Sequence, residues 1–199
     1  MTSEAQAPPA SATPPDRGSD HAQRLADMKV KWRYLILAAV VLILDQWTKW
    51  LIESHLARHD SMEVIPQLLN FTHVRNTGVA FGFFASYGNA TGTLVLILLG
   101  LAALCFVAYY FWLVPRGDKP LLVALALVIG GAIGNLVDRI MQGGVTDFID
   151  FYRGTYHWHT FNIADTAISI GIGLMILGTF RRPNEGSEVS ESRPTPSTP

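Results

Sequence analysis

The chain is poor in cysteine and in charge. A single cysteine among 199 residues, Cys105, excludes an intramolecular disulfide framework and most zinc-cluster arrangements. It lies inside an apolar run and reads as a buried, inert thiol. Charged residues make up only 16% of the chain and nearly cancel, to a net charge of −1, so the overall balance carries no footprint for nucleic acid. Motifs for a serine nucleophile (G-x-S-x-G, a Ser-His-Asp pattern, a Ser-Lys pair) and for a zinc peptidase (H-E-x-x-H) are missing. No internal repeat is visible.

What the chain does have is apolar length. Hydrophobic residues make up 49%, and they are bunched. Four stretches, 34–52, 93–114, 121–140 and 161–180, each approach the roughly 20 residues that a helix needs to cross a bilayer. The second and third are separated by only "PRGDK", a tight connection broken by Pro115 and Gly117. The pattern predicts an all-α membrane protein with four spans in one domain, residues 32–181. Residues 1–31 and 182–199, rich in Ala, Pro, Ser and Thr, read as disordered tails. The basic residues ahead of "YLILAAVVLIL" resemble the start of a signal peptide. No A-x-A site follows, and the run continues through "DQWTKWLI", which makes a retained span.

Lys and Arg near the span ends set the expected orientation. Arg24, Lys29, Lys31, Arg33, Arg116, Lys119, Arg181 and Arg182 fall on one side; Arg58, Arg75, Arg139 and Arg153 fall on the other. The positive-inside rule then places both termini in the cytoplasm, with residues 53–92 and 141–160 outside. Within loop one, "LLNFTHVRNTGVAFGFF" alternates apolar and polar residues before the turn-prone Asn76-Thr77-Gly78. It suggests a short strand and hairpin at the membrane surface, with Phe71, Phe81, Phe83 and Phe84 suited to the interface.

Polar residues inside the spans are few and helically spaced. Asp45 and Lys49 are four apart and can pair, either as a structural ion pair or as part of a site. Gly131, Asn135 and Asp138 mark one face of span three, where glycines permit close helix contact. Asn135 and Arg139 could orient a carboxylate, bind a substrate carbonyl, or only bond neighbouring helices. Asn162 and Asp165 open span four in the pattern of a helix cap. Asp147 and Asp165 both fall at the outer rim. If they converge, they share a proton, one activating water and the other polarising a carbonyl. Spacing alone does not establish convergence, since the two are eighteen residues apart. The external "HWH" at 157–159 could also hold a metal near Asp147, although loop histidines are commoner. Intramembrane Asp45, Lys49 and Asp165 would equally suit the proton path of a small transporter, or helix-gluing groups in an assembly protein.

Five segments, "DQWTK" (45–49), "RNTGVAFG" (75–82), "GNLVDR" (134–139), "GGVTDFIDF" (143–151) and "FNIAD" (161–165), occur in the order seen in bacterial lipoprotein signal peptidase. Through them the chain resembles that family, signal peptidase II, over roughly residues 32–181. The resemblance implies four helices with a small external β-cradle and an interfacial segment, in the bacterial cytoplasmic membrane. It implies an aspartic endopeptidase acting near the outer face; no metal or cofactor is expected, and the chain is expected to be a monomer. The implied substrate is a prolipoprotein, cut before a diacylglyceryl-modified cysteine that membrane lipid helps to present. Carried over position by position, the catalytic pair is Asp147 and Asp165. The supporting residues are Asp45, Lys49, Asn76, Gly78, Asn135, Asp138, Arg139 and Asn162. Asp150 is left as a surface or supporting acid. One departure is visible: where the family often has Trp-Pro-x-Phe-Asn, this chain has Trp158-His159-Thr160-Phe161-Asn162.

Overall fold

The structure, a computed structural model, describes residues 17–78 and 89–181. In chain order the elements are α1 (Arg17–His55), β1 (Ser61–Ile65), β2 (Leu69–Asn76), α2 (Asn89–Leu113), α3 (Lys119–Gln142), β3 (Val145–Arg153), β4 (Tyr156–His157) and α4 (Ile163–Arg181). All four helices contain a segment long and apolar enough to cross a membrane: Met28–His55, Thr91–Leu113, Lys119–Gln142 and Ile163–Phe180.

α3 is the central helix. Of its apolar window 56% is buried inside the protein, against 6% for α2, so α2 is a flanking helix that turns most of its surface outward. Phe111, Leu122, Leu125 and Ile129 of α2 and α3 meet Ala38 of α1 in the main core cluster. Asp118 caps α3, accepting from the Leu121 backbone N–H, and Pro120 stands in the first turn where its missing N–H is harmless. The Gly143 N–H closes the other end on the Arg139 carbonyl.

The sheet sits at one end of this bundle, the end where α1 and α3 finish and α4 begins. It is antiparallel, in the order β1-β2-β3-β4. Asn76 pairs with Val145 and Leu69 with Phe151, and an extra residue bulges on β2 between Phe71 and Val74.

Several sequence expectations change. The hairpin turn lies ahead of β2, at 66–68 with Gln67 at φ 58°, rather than at Asn76-Thr77-Gly78, which ends β2. Within the external connection 141–160, for which the residues alone predict no strand, lie β3 and β4. α4 starts two residues later than the apolar run because Phe161 is still bridged to Ile149 and Asn162 serves as the cap. α1 begins at Arg17, so residues 17–31 are helical rather than disordered. After Gly18 that segment has no Pro or Gly and is rich in good helix formers. Lys31, assigned to the tail, is buried. It donates to the Trp112 carbonyl and lies 5.5 Å from the centre of the Trp112 ring. Cys105 is exposed, because it stands on the outward side of the flanking helix α2. The interfacial segment with Phe81, Phe83 and Phe84, the last four residues of "RNTGVAFG", and the tails 1–16 and 182–199 lie outside the described residues.

Candidate active site

Close helix contact comes first. A Cβ at Gly131 would stand 2.4 Å from the Ala164 carbonyl oxygen, and one at Gly134 would stand 2.5 Å from Asp45 Oδ2. Only glycine lets α3 approach both α4 and the Asp45 carboxylate this closely. Into that contact the chain packs charge. Lys49 Nζ lies 2.8 Å from Asp45 Oδ2 and 2.8 Å from Asp138 Oδ2, and it donates to Asn135 Oδ1 at 3.1 Å. All three charged groups are buried, so the ammonium must serve both carboxylates. Asp45 Oδ1 in turn accepts the Ala164 backbone N–H at 2.9 Å, in the first turn of α4. Asp138 also accepts from Gln46 Nε2 and from the Thr146 backbone N–H. This cluster therefore ties together α1, α3, α4 and the start of β3.

Asn162 connects the cluster to two further carboxylates. Its Nδ2 donates to Asp147 Oδ1 at 2.7 Å, and its Oδ1 accepts the Asp165 backbone N–H at 2.9 Å. Asp165 Oδ2 accepts the Asn162 N–H in return, so the helix cap expected from the sequence is present. The other oxygen of Asp165 takes a 2.7 Å bond from Asn135 Nδ2. Asp165 thus caps α4 with one oxygen and joins the polar cluster with the other. Asn76 Nδ2 donates to Asp147 Oδ2 at 3.0 Å, while Asn76 Oδ1 accepts the Gly78 N–H at 2.9 Å. Gly78 at φ +77° permits that turn, so Asn76 and Gly78 form a turn that also holds a carboxylate.

Asp147 is 2% exposed. Burial pushes its carboxyl up to about 6. The negative field of Asp165 acts in the same direction, against the lowering effect of the Asn76 and Asn162 amides and of Lys49. Charge counting agrees. Among the described residues, Lys49 and Arg139 are the cations whose charge acts directly on Asp45, Asp138, Asp147 and Asp165, so one added proton relieves a net negative cluster.

Asp147 and Asp165 line one cleft of about 560 Å³, with Asn76 and Thr166 beside them. Segment 158–161 forms one wall, and Ser169 and Ile170 of α4 extend it. The wall is pinned at both ends despite the absence of proline. The Trp158 N–H donates to the Phe151 carbonyl at 2.7 Å and the Phe161 N–H to the Ile149 carbonyl at 3.1 Å. Arg139 donates to the Asn135 carbonyl, and its buried Nε has no partner among the described residues.

The histidines of "HWH" diverge. His157 Nδ1 meets Asp150 Oδ2 at 2.8 Å, and His159 Nδ1 meets the Thr160 carbonyl. Among the described residues no three His, Cys, Asp or Glu side chains gather to hold a metal. Asp150 is not a surface acid: it is 4% exposed and bonded to Asn70 and His157. β3 turns it to the face opposite Asp147, a consequence of strand alternation. Sequence reasoning passed over Gln46, inside "DQWTK", and the buried Thr146, whose hydroxyl donates to Glu53 at 2.6 Å. A polar residue next to a motif aspartate was the available signal for each.

A family model described as signal peptidase (SPase) II matches residues 37–181. The lipoprotein signal peptidase of Solibacter usitatus is 40% identical over 161 residues, covering 81% of this chain and 98% of that protein. That of Syntrophus aciditrophicus is 44% identical over 154 residues, covering 77% and 96%. A solved structure described as a bacterial membrane enzyme superposes with a TM-score of 0.66 at 34% identity, over 76% of this chain and 94% of its own.

Proposed function

The chain belongs to the signal peptidase II family, and on that premise we propose that Asp147 and Asp165 are the pair that hydrolyses its substrate. The protein is a multi-pass membrane protease that removes signal peptides from prolipoproteins. The observation that carries the assignment of the pair is Asn162, whose one side chain touches both Asp147 and the backbone of Asp165 at the edge of a shared cleft.

The roles divide by environment. With substrate bound the pair shares one proton, and Asp147, whose carboxyl is raised by burial, is the member that donates it in a hydrogen bond to the scissile carbonyl. Asp165, half-buried at the rim, is the base that activates water. Water attacks the carbonyl carbon as one of its protons passes to Asp165 and the proton of Asp147 passes to the carbonyl oxygen. The resulting diol collapses when Asp165 returns its proton to the amide nitrogen. The C–N bond then breaks, and a hydroxyl proton restores Asp147. Asn76, Asn135 and Asn162 hold both carboxyls in place throughout. Asp45, Lys49 and Asp138 hold α1, α3 and α4 at the spacing that the pair needs, and Gly78 permits the Asn76 turn. Arg139, whose positive charge acts on both Asp165 and Asp147, is the candidate to hold the substrate backbone beside them.

The sheet end of the bundle faces outward, with both termini in the cytoplasm; the Lys and Arg asymmetry supports this. The substrate cysteine carries a diacylglyceryl group that anchors it in the outer leaflet, so membrane attachment itself presents the bond to the pair. The enzyme acts as a monomer.

The test is cleavage of a synthetic lipidated precursor by purified protein in lipid nanodiscs. Cleavage before the modified cysteine is expected, and Asp165→Asn should abolish it. That variant keeping a tenth of wild-type turnover would sink the paired role, and an unlipidated precursor cut equally fast would remove the anchoring account.

A further inference from the structure

We propose that the groove lined by Phe151, Tyr152, Arg153, Tyr156, Trp158 and Phe161 is the subsite for the first residues of the mature protein beyond the scissile bond, selecting apolar and aromatic side chains there. The inference rests on the peptidase reading above.

The groove encloses about 450 Å³, and Trp158 and Phe161 line both it and the catalytic cleft, so the two are continuous. Strand geometry gives it a direction. Side chains alternate along β3, so Asp147, Ile149, Phe151 and Arg153 share one face. On that face exposure rises steadily: Asp147 is buried, Ile149 half-buried, and Phe151 and Arg153 exposed. The bulged residue is on β2, so the alternation of β3 is unbroken. At about 3.4 Å per residue, Phe151 lies roughly 14 Å along the strand from Asp147. That distance is the reach of about four extended residues of substrate.

The other end of the cleft settles which half of the substrate goes where. There Ser169 and Ile170 are exposed on α4, within its membrane-spanning segment. An apolar signal segment lying in the bilayer reaches the pair from that side. The groove on β3 is outside every span, so it receives the mature segment on the far side of the bond.

Its aromatic lining also decides between peptide and acyl chain. An acyl chain resting in the bilayer is already surrounded by hydrocarbon and gains no hydrophobic free energy by moving to a half-open groove. Side chains of the mature segment come from water and do gain it, with ring contacts in addition. Tyr156 is 67% exposed and Trp158 62%, so both rings are free to meet an incoming segment.

The test compares three lipidated precursors that are identical up to the modified cysteine. One ends there as an amide, one continues with four Gly and Ser residues, and one continues with four residues rich in Phe and Leu. Steady-state cleavage is measured in nanodiscs for wild type, Tyr156→Ala and Phe151→Ala. For wild type the apolar extension should be favoured over the Gly/Ser extension about five- to tenfold in kcat/KM, mainly through KM. Each variant should shrink that ratio to twofold or less. Equal cleavage of both extensions by wild type would overturn the subsite. So would a variant that slows all three precursors by the same factor, the outcome expected if these rings only seat the sheet in the membrane interface. Failure of wild type to cut any of the three would instead refute the peptidase reading and the subsite with it.

Discussion

Replacing Asp147 by Asn should abolish cleavage and at the same time make the protein more stable, because the carboxyl we propose for the chemistry is held in an unfavourable place. Its carboxyl ionises near 3.8 when unfolded and near 6 in the folded protein. That difference corresponds to about 3 kcal/mol. The sign is set by the folded state, which holds the proton more tightly. Below about pH 3 the carboxyl is neutral in both states and contributes no penalty, and at pH 4 the penalty is still small. As pH rises from 4 to 6 the unfolded chain ionises first, and folding stability falls by the full amount, then stays level. Asparagine removes that penalty. It also turns an amide donor toward Asn76 or Asn162, each of which already donates to Asp147, and the lost hydrogen bond offsets about 1 kcal/mol. The net gain of about 2 kcal/mol at pH 7.5 should raise Tm by roughly 4–8 °C. Thermal unfolding followed by tryptophan fluorescence, at pH 7.5 and at pH 4, gives the stability arm; precursor cleavage gives the activity arm. The gain should vanish at pH 4. An unchanged or lower Tm at pH 7.5, or a gain equal at both pH values, would refute the buried-carboxyl argument.

Lys49→Met should leave the buried Asp45 and Asp138 without their shared cation and destabilise the protein by about 3–5 kcal/mol, measured as a fall in Tm. Removing one of the two stranded carboxylates with Asp138→Asn in the same chain should recover part of the loss. Arg139→Ala should reduce precursor cleavage by about ten- to a hundredfold, the equivalent of one charge-assisted hydrogen bond, and leave measurable turnover where Asp165→Asn leaves none. Single cysteines at Ser61 and Thr155, in a Cys105→Ala background, should react with an impermeant reagent applied to intact cells. Protection of both would reverse the proposed orientation.

The membrane architecture was legible because it depends on composition. A bilayer admits helices of about 20 apolar residues, so four such runs in the sequence become α1 to α4, with ends moved by a few positions except at the start of α1, which begins at Arg17 rather than 34. The displaced ends have local causes, the Asn162 cap at α4 and the helix-forming segment before Met28 in α1. The sheet was half legible. Alternation marked β2, but "GGVTDFIDFYR" did not show the same pattern, because both faces of β3 are buried near Asp147 and the apolar residues no longer alternate cleanly. The placement of Cys105 failed for a related reason: in a membrane helix an apolar neighbourhood in sequence does not distinguish the protein core from the lipid side.

The sequence by itself determined the number of spans, the motifs, the polar spacing on α3 and the capping pattern Asn162–Asp165, because each of these depends on residues within one or two helical turns. Only the tertiary structure decided which carboxylates meet. Asp147 and Asp165 come to one cleft through Asn162 and through an α3 that glycines allow to lie against α4. Asp150, in the same motif, is turned by the strand's two-residue period to the opposite face and bonded to His157. The raised carboxyl of Asp147 likewise comes from no neighbour in sequence. It follows from the burial that β2, β3 and the segment before α4 impose together, and burial is a property of packing rather than of the chain.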